Sequence, residues 1–359
     1  MNYREVELLA PESITTTGVR TIDLGTDQPV SRIDVMWRKT NTNHTALAHP
    51  AKIVERIDIV DGSDVLFSMN GSDAQAMGFF TSGHQPGSML NYAGGQWSMM
   101  IASIYFGRKL WDEVYALDPK KHNNIQIKIA HNIINGGATG TVGDLSIYAH
   151  VFNDKIITPK GFVQCREIYS FLPVANAWVY VDMPQDYPIR GLMFGANEAE
   201  QGPEYNIVRF KVSENGGKNI LAESTMERYL LVQSGNLEPW NEKLICEPLA
   251  AATDYHTYVT PHWERTPVME SEGAGLATAH WTSAGCLVHM QCAGGAPVCE
   301  GVVQGFAPFG QTWIPFAGVD EDGGWETVGK GNSRIDLQAD ASCDVDEFVR
   351  VAVNQLRRY

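Results

Sequence analysis

Two stretches of this chain read alike: Ile22-Asp23-Leu24-Gly25-Thr26-Asp27-Gln28-Pro29-Val30-Ser31-Arg32-Ile33 and Val181-Asp182-Met183-Pro184-Gln185-Asp186-Tyr187-Pro188-Ile189-Arg190-Gly191-Leu192. Laid over each other without a gap, they share Asp23/Asp182, Asp27/Asp186 and Pro29/Pro188, each pair 159 positions apart. Apolar positions match in kind at Ile22/Val181, Leu24/Met183, Val30/Ile189 and Ile33/Leu192. Each copy reads as the end of one strand, a polar turn and the start of the next. An internal repeat of this kind governs every later reading of the chain.

Three further matches follow in the same order. Ser72-Asp73-Ala74-Gln75 and Ser224-Thr225-Met226-Glu227 both have the capping-box pattern of a helix start. Phe106-Gly107 resembles Phe309-Gly310, and Ile147 to Val151 resembles Val349 to Val353. The spacing drops from 159 to 152, then jumps to 203 and 202. The first copy therefore carries a longer loop near Thr40 to His49. The second carries an insertion of some 51 residues, placed at about 233–283. The division expected is 1–156, an N-terminal arm and first domain, and 157–359, the second domain. Pro29 should superpose on Pro188 and Ser72 on Ser224.

Between these anchors the chain is dense in short strands. In the first half they are expected at 19–24, 30–37, 52–60, 64–69, 97–106, 125–129 and 145–152, with a helix over 72–80 and a helical turn at 111–118. Ile125-Gln126-Ile127-Lys128-Ile129 alternates strictly and is the clearest half-buried strand. Residues 1–16 read as an arm and 153–160 as a linker. In the second half strands are expected at 162–171, 177–183, 188–195, 205–213, 281–291, 299–307, 333–338 and 346–356. A helix is expected at 224–232, and 235–280 reads as mostly irregular. Strand-dense halves with one short helix each suit antiparallel sandwiches.

Composition narrows the function. With 44% hydrophobic and 19% charged residues the 359-residue chain is a folded protein with room for two cores. Forty-two acids against 27 bases give a net charge of −15, which argues against a nucleic-acid groove. No apolar run reaches a membrane-spanning length, and the first ten residues lack the pattern of a secretory signal. Six cysteines are too few for a disulfide scaffold, and Cys286, Cys292 and Cys299 lack the spacing of a zinc site. They read as small buried thiols.

No catalytic, cofactor or metal residue stands out. His256/His262 and His280/His289 do not fall on one helix face, and no ligand partner lies at metal spacing. Thr282-Ser283-Ala284-Gly285-Cys286 is not a nucleophile elbow. Gly94-Gly95 and Gly136-Gly137 are hairpin glycines, not a phosphate loop. Asp320-Glu321-Asp322 reads as a solvated loop without EF-hand spacing. Trp240, Tyr255, Tyr258, Trp263 and Trp281 read as the small core of the insertion or an interface, with a sugar-binding surface as the alternative.

Two tandem strand-rich halves carrying the Asp-x-x-x-Asp-x-Pro turns at 23–29 and 182–188, the capping boxes at 72–75 and 224–227, and the Phe-Gly pairs at 106–107 and 309–310 resemble the double jelly-roll major capsid proteins of tailless icosahedral viruses and bacteriophages, many with an internal membrane. The resemblance implies an all-β fold of two tandem eight-stranded antiparallel jelly rolls, each with a short helix. It implies a structural coat protein, not an enzyme, whose pseudo-hexagonal homotrimers tile an icosahedral shell. Its partners would be itself, neighbouring capsomers, vertex (penton) and minor capsid proteins and, in membrane-containing members, lipid on the inner side. Sequence-specific nucleic-acid binding is not expected. The place implied is the virion, after assembly in the host cytoplasm. In that family both termini face inward, which would put Arg350, Arg357 and Arg358 on a basic inner rim opposite the insertion. The insertion would then be an outer, trimer-contacting projection whose removal leaves the first domain folded. The competing reading is a secreted double-jelly-roll glycan-binding protein or glycan amidase.

Overall fold

A computed structural model describes residues 1–41, 47–137, 142–198, 201–247, 255–262, 265–271, 276–282, 287–293 and 298–359. For 255–256, 261–262, 265–271, 276–282, 287 and 289–293 the backbone alone is described.

The first half contains β1 (Tyr3–Ile14), β2 (Thr17–Asp23), β3 (Val30–Thr40), β4 (Val54–Asp61), β5 (Asp64–Met69), α1 (Gly71–Ser82), β6 (Ser88–Asn91), β7 (Trp97–Tyr105), β8 (Ile125–Asn132) and β9 (Gly143–Phe152). The second half begins with β10 (Gly161–Phe171), β11 (Trp178–Asp182), β12 (Ile189–Gly195), α2 (Pro203–Asn206), β13 (Ile207–Glu214), β14 (Asn219–Thr225) and α3 (Met226–Asn236). There follow β15 (Trp240–Cys246), β16 (Tyr255–Tyr258), β17 (Pro261–His262), β18 (Arg265–Ser271), β19 (Leu276–Thr282), β20 (Leu287–Ala293), β21 (Cys299–Gly305) and β22 (Ala307–Pro308). The chain closes with β23 (Gln311–Pro315), β24 (Arg334–Ala339) and β25 (Val349–Arg358).

Strand order repeats. In the first half the facing sheets run β1-β9-β3-β7 and β2-β8-β4-β5; in the second they run β10-β25-β12-β23 and β11-β24-β13-β14. Replacing each strand of the first set by its counterpart gives the second, and both are the order of an eight-stranded jelly roll. Residues of β8 alternate buried and half-buried along their whole length, as the sequence pattern requires.

The repeat reaches individual bulges. The ladder slips between Glu7 and Leu9 in β1 and between Glu167 and Tyr169 in β10. It slips between Val30 and Arg32 in β3 and between Ile189 and Gly191 in β12. It slips between Val54 and Arg56 in β4 and between Ile207 and Arg209 in β13, and again at Ile59/Val60 and Val212/Ser213 against the next strand. A bulge re-aims the strand that carries it and is kept as a feature of a fold. Pro29 and Pro188 each stand immediately before one of these bulged strands, so the turn pair read from the sequence is structurally equivalent.

Other sequence expectations need correction. Residues 3–14 are not an arm but the strand β1, laid along β9. Neither capping box forms. Helix α1 is capped by Asn70, whose Oδ1 accepts from the Asp73 N–H at 2.7 Å, and Gln75 instead donates to the Ile101 carbonyl at 2.9 Å. Ser224 lies inside β14 opposite Phe210, and Thr225 caps α3 with no side-chain bond. The strands before the helices run on further than the pattern suggested, so Ser72 and Ser224 are not equivalent. Phe106 follows β7 whereas Phe309 precedes β23, so that match is accidental. Strands β9 and β25 are true counterparts, but Val30 faces Val151 and Ile189 faces Gln355, a spacing of 204 rather than 202. No helical turn forms at 111–118. The Asp112 carboxylate accepts from the Val114 and Tyr115 N–H groups, and Tyr115 and Leu117 make β-bridges to Gly161 and Val30. The span 235–280 is not irregular; it holds β15 to β18 and part of β19.

Candidate functional site

The two halves are joined through shared sheets. Strand β5 of the first pairs in parallel with β10 of the second, Phe67 opposite Cys165 and Ser68 opposite Arg166, which makes one eight-stranded sheet from β2 to β23. The second-half face of that sheet covers α1. Eleven of the twelve α1 residues, Gly71 to Thr81, are buried. Phe80 stacks on Trp313 at 5.6 Å with ring planes 3° apart, and Asn354 donates to Thr81 Oγ1 at 2.9 Å. Asp73 accepts from Gln311 Nε2 at 3.0 Å and has Arg350 Nε at 3.9 Å. Burial outweighs that cation and lifts the Asp73 carboxyl to about 6.

The segment after α3 forms a second joint. Strand β15 pairs in parallel with β6, continuing the sheet that starts at β1 through β15 and β21 to β18. Trp240 is fully buried, edge-on to Phe79 at 5.5 Å, in a core shared with Leu90, Tyr92 and Phe309. Tyr92 donates its hydroxyl hydrogen to the Tyr258 carbonyl at 2.6 Å. Trp240 is therefore core, and Tyr258 packs against that core. The side chains of Tyr255, Trp263 and Trp281 lie outside the described residues. The apolar face of α1 and β6 is completed by β15, so the span expected as an insertion supplies part of the core of the first half.

A buried polar chain runs through this joint. His49 Nδ1 accepts from the Ala51 N–H at 3.0 Å, which leaves the proton on Nε2, 3.2 Å from Thr260 Oγ1. Burial, with Lys52 and Lys39 nearby, drives His49 down to about 3, so the ring is neutral. Thr260 in turn donates to Glu242, and Ser88 adds a bond at 3.3 Å. Desolvation lifts Glu242 to about 7.

The opposite end gathers the termini. Asn153 N–H donates to the Asn2 carbonyl at 2.8 Å and Tyr359 N–H to that of Lys160 at 3.1 Å. Strand β7 runs from Trp97, opposite Thr40, to Tyr105, opposite Arg32; β6 is antiparallel to it and β15 parallel to β6. The chain thus leaves β15 at Cys246 on the end far from Asn2 and Tyr359. The three arginines do not form the free basic rim expected. Arg357 is bound by both oxygens of Asp64, its Nη1 at 2.8 Å, and lies over Phe162 and Tyr187, while Arg350 faces Asp73; Arg358 is exposed.

Asp320-Glu321-Asp322 sits near the same end. Asp320 binds Lys109 at 2.6 Å and Asp322 accepts from the Tyr115 hydroxyl. Buried Arg190 fixes this loop from beneath, donating to the carbonyls of Glu321 at 2.6 Å, Gly318 at 2.7 Å, and Val319 and Gly323 at 3.3 Å. The run is exposed, as expected, but two of its three carboxylates bind first-half side chains.

The histidines singled out in the sequence, His256, His262, His280 and His289, have side chains outside the described residues; the backbone of His256 pairs with that of His289. Cys286 and Cys292 likewise lie outside, and Cys299 is buried opposite Cys246. Among the described residues no group of three His, Cys, Asp or Glu could hold a metal, and no helix is long and apolar enough to cross a membrane. Sequence reasoning missed a network on the outer face of the β1-β9-β3-β7 sheet. Asp34 accepts from Arg32, His150 and Ser103 at 2.7 Å each, and against the cost of burial these hydrogen bonds and the Arg32 charge hold its carboxyl below the usual range. The outward positions of β3 and β9 carry it, and only the strand register could have assembled it.

No sequence profile of a known family matches the chain, and no curated protein does. Solved structures do. The STIV major capsid protein covers 99% of this chain with 96% of its own at 10% identity and a TM-score of 0.60. The atomic structure of Sulfolobus Turreted Icosahedral Virus gives 0.61 at 10% identity, over 99% of this chain and 90% of that one. VP54 of PBCV-1, fitted into a reconstruction of the virophage Sputnik, gives 0.56 at 8% identity, over 99% and 94%. This chain has the double jelly-roll fold of viral major capsid proteins. The match runs through both jelly rolls, and the glycan-binding reading finds no support among these neighbours.

Proposed function

We propose that this protein is the major capsid protein of an icosahedral virus, a structural coat protein that assembles with copies of itself into the virion shell. The observation that carries the reading is the full-length match to capsid proteins by a chain whose own two halves repeat strand for strand. Its working unit is a homotrimer in which jelly rolls 1–156 and 157–359 alternate around a pseudo-six-fold ring. Three heterologous contacts of one kind close such a ring. The span near 233–283 faces outward and the termini inward, toward an internal membrane or the genome. Neighbouring capsomers, vertex proteins and minor capsid proteins complete the shell, and assembly takes place in the host cytoplasm. The chemistry is association, with no catalytic step.

The test is the mass of the purified protein by light scattering, followed by electron microscopy at high concentration. One chain is 39.6 kDa. A species of three chains that packs into hexagonal sheets or shells supports the reading; a monomer at every concentration and salt condition rejects it.

A further inference from the structure

Helices α1 and α3 occupy equivalent places in the two jelly rolls, each following the strand that ends its small sheet, yet their surroundings differ. Almost all of α1 is buried, and its Asp73, Phe80 and Thr81 meet the second jelly roll. Of α3 only Met226, Leu230 and Gln233 are buried, while Leu231 and Val232 stand 58% and 52% exposed. The strand beside each helix shows the same contrast. Strand β5 is paired by β10, whereas β14 is, among the described residues, a free edge whose Ile220 and Leu221 are 49% and 40% exposed. Next to it a cavity of about 550 Å³, lined by Leu221, Tyr229, Ile314, Phe316 and Trp325, opens between the two sheets. An open strand edge with apolar neighbours is a pairing site unless something covers it.

The intramolecular joint says what the cover is. The element on β5 is β10, the first strand of the next jelly roll; its counterpart is β1, which among the described residues is also an edge strand, paired only with β9. We infer that β1 and the outer face of the β1-β9-β3-β7 sheet of one copy dock on β14 and α3 of the next, an assignment that rests on the ring proposed above. The matched bulges fix the register. Glu5 corresponds to Cys165 and Val6 to Arg166, counting back from the slips at Glu7 and Glu167. Ala222 corresponds to Phe67 and Glu223 to Ser68, from the slips at Val212 and Ile59. Because Cys165 faces Phe67 and Arg166 faces Ser68, Glu5 of one copy faces Ala222 of the next, and Val6 faces Glu223.

Charge does not oppose the same arrangement. Counted from the helix caps Asn70 and Thr225, Asp73 of α1 corresponds to Arg228 of α3. Asp73 meets a cation, Arg350, across the internal joint. At the spacing of 204 the counterpart of Arg350 is Ser146, so no cation stands at the position that Arg228 would meet.

Two variants, Glu5→Cys and Ala222→Cys, test the register. Mixed and mildly oxidised, they should give a disulfide-linked dimer on a non-reducing gel that neither gives alone. In parallel, Leu231→Asp with Val232→Asp, both exposed in the free chain, should keep the wild-type circular dichroism and convert a trimer to monomer, weakening association at least 100-fold. A wild-type trimer that shows no mixed cross-link, or that the aspartates leave intact, overturns this surface while sparing the trimer. A monomeric wild type overturns both the surface and the ring.

Discussion

Thr260 donates its hydroxyl hydrogen to Glu242 at 2.6 Å, and neither residue has any solvent-exposed surface. Burial raises the Glu242 carboxyl from 4.5 to about 7. The folded state therefore binds the proton more tightly than the unfolded state. Stability from this group is fully present below about 4.5 and is lost as pH rises through about 7. Glu242→Gln removes the titration. Its stability relative to wild type should climb between pH 5 and 8, on the order of 3 kcal/mol in total by the pKa-to-energy conversion. Urea unfolding of both proteins across that range measures it, and parallel pH profiles would sink the idea.

Arg190 offers a different kind of joint, a guanidinium whose named partners are four backbone carbonyls between Gly318 and Gly323. A lysine has the charge but not the planar fork. Arg190→Lys should cost about 2 to 4 kcal/mol through buried carbonyls left without donors. Limited proteolysis should then cut within 318–323 before it cuts elsewhere. An uncut loop in a destabilised variant would show that the bonds are not what holds it.

Much of the architecture was legible from two short features. Asp23/Asp182 and Pro29/Pro188 mark equivalent turns because a proline before a bulged strand is a local device, set by neighbours in sequence. The strict alternation of Ile125 to Ile129 likewise reports one local surface. Features set by distant partners were not legible. Ser72 and Ser224 look alike in pattern, yet how far β5 and β14 extend is decided by the strands beside them. Residues 3–14 read as an arm because their apolar side chains are only half covered, as on any edge strand. Arg357 looked free because Asp64 lies 293 positions away. The joints that the proposed assembly depends on belong to this second class.

Gly191 makes room for the Trp313 ring at the joint between the two jelly rolls. A Cβ there would lie 2.0 Å from the Trp313 ring, the same ring that stacks on Phe80. Gly191→Ala forces Trp313 off Phe80 and should cost about 1 to 3 kcal/mol or more. Near-ultraviolet circular dichroism should lose tryptophan signal while far-ultraviolet spectra stay native. The double variant Gly191→Ala with Trp313→Phe should recover part of the loss. Additive losses would mean that the clash is not with Trp313.

The segment between α3 and β23 can be tested as part of the first jelly roll's core. Trp240, Leu244 and Val303 complete an apolar surface formed by Phe79, Leu90 and Tyr92, and β15 satisfies the edge of β6 through Leu90 and Asn91. Replacing 238–307 by a short Gly-Ser linker would expose that surface together with an open strand edge. The first jelly roll should then lose its cooperative unfolding and bind a hydrophobic dye, as loosely packed states do. Trp240→Ala removes one side chain only and should cost about 3 to 5 kcal/mol while leaving a cooperative transition. The contrast between the variants carries the argument, because a merely peripheral projection predicts the reverse: a deleted protein that melts sharply, and a tryptophan whose loss is hardly felt. A sharp, wild-type-like melt of the deletion variant would return the segment to the role of an appendage.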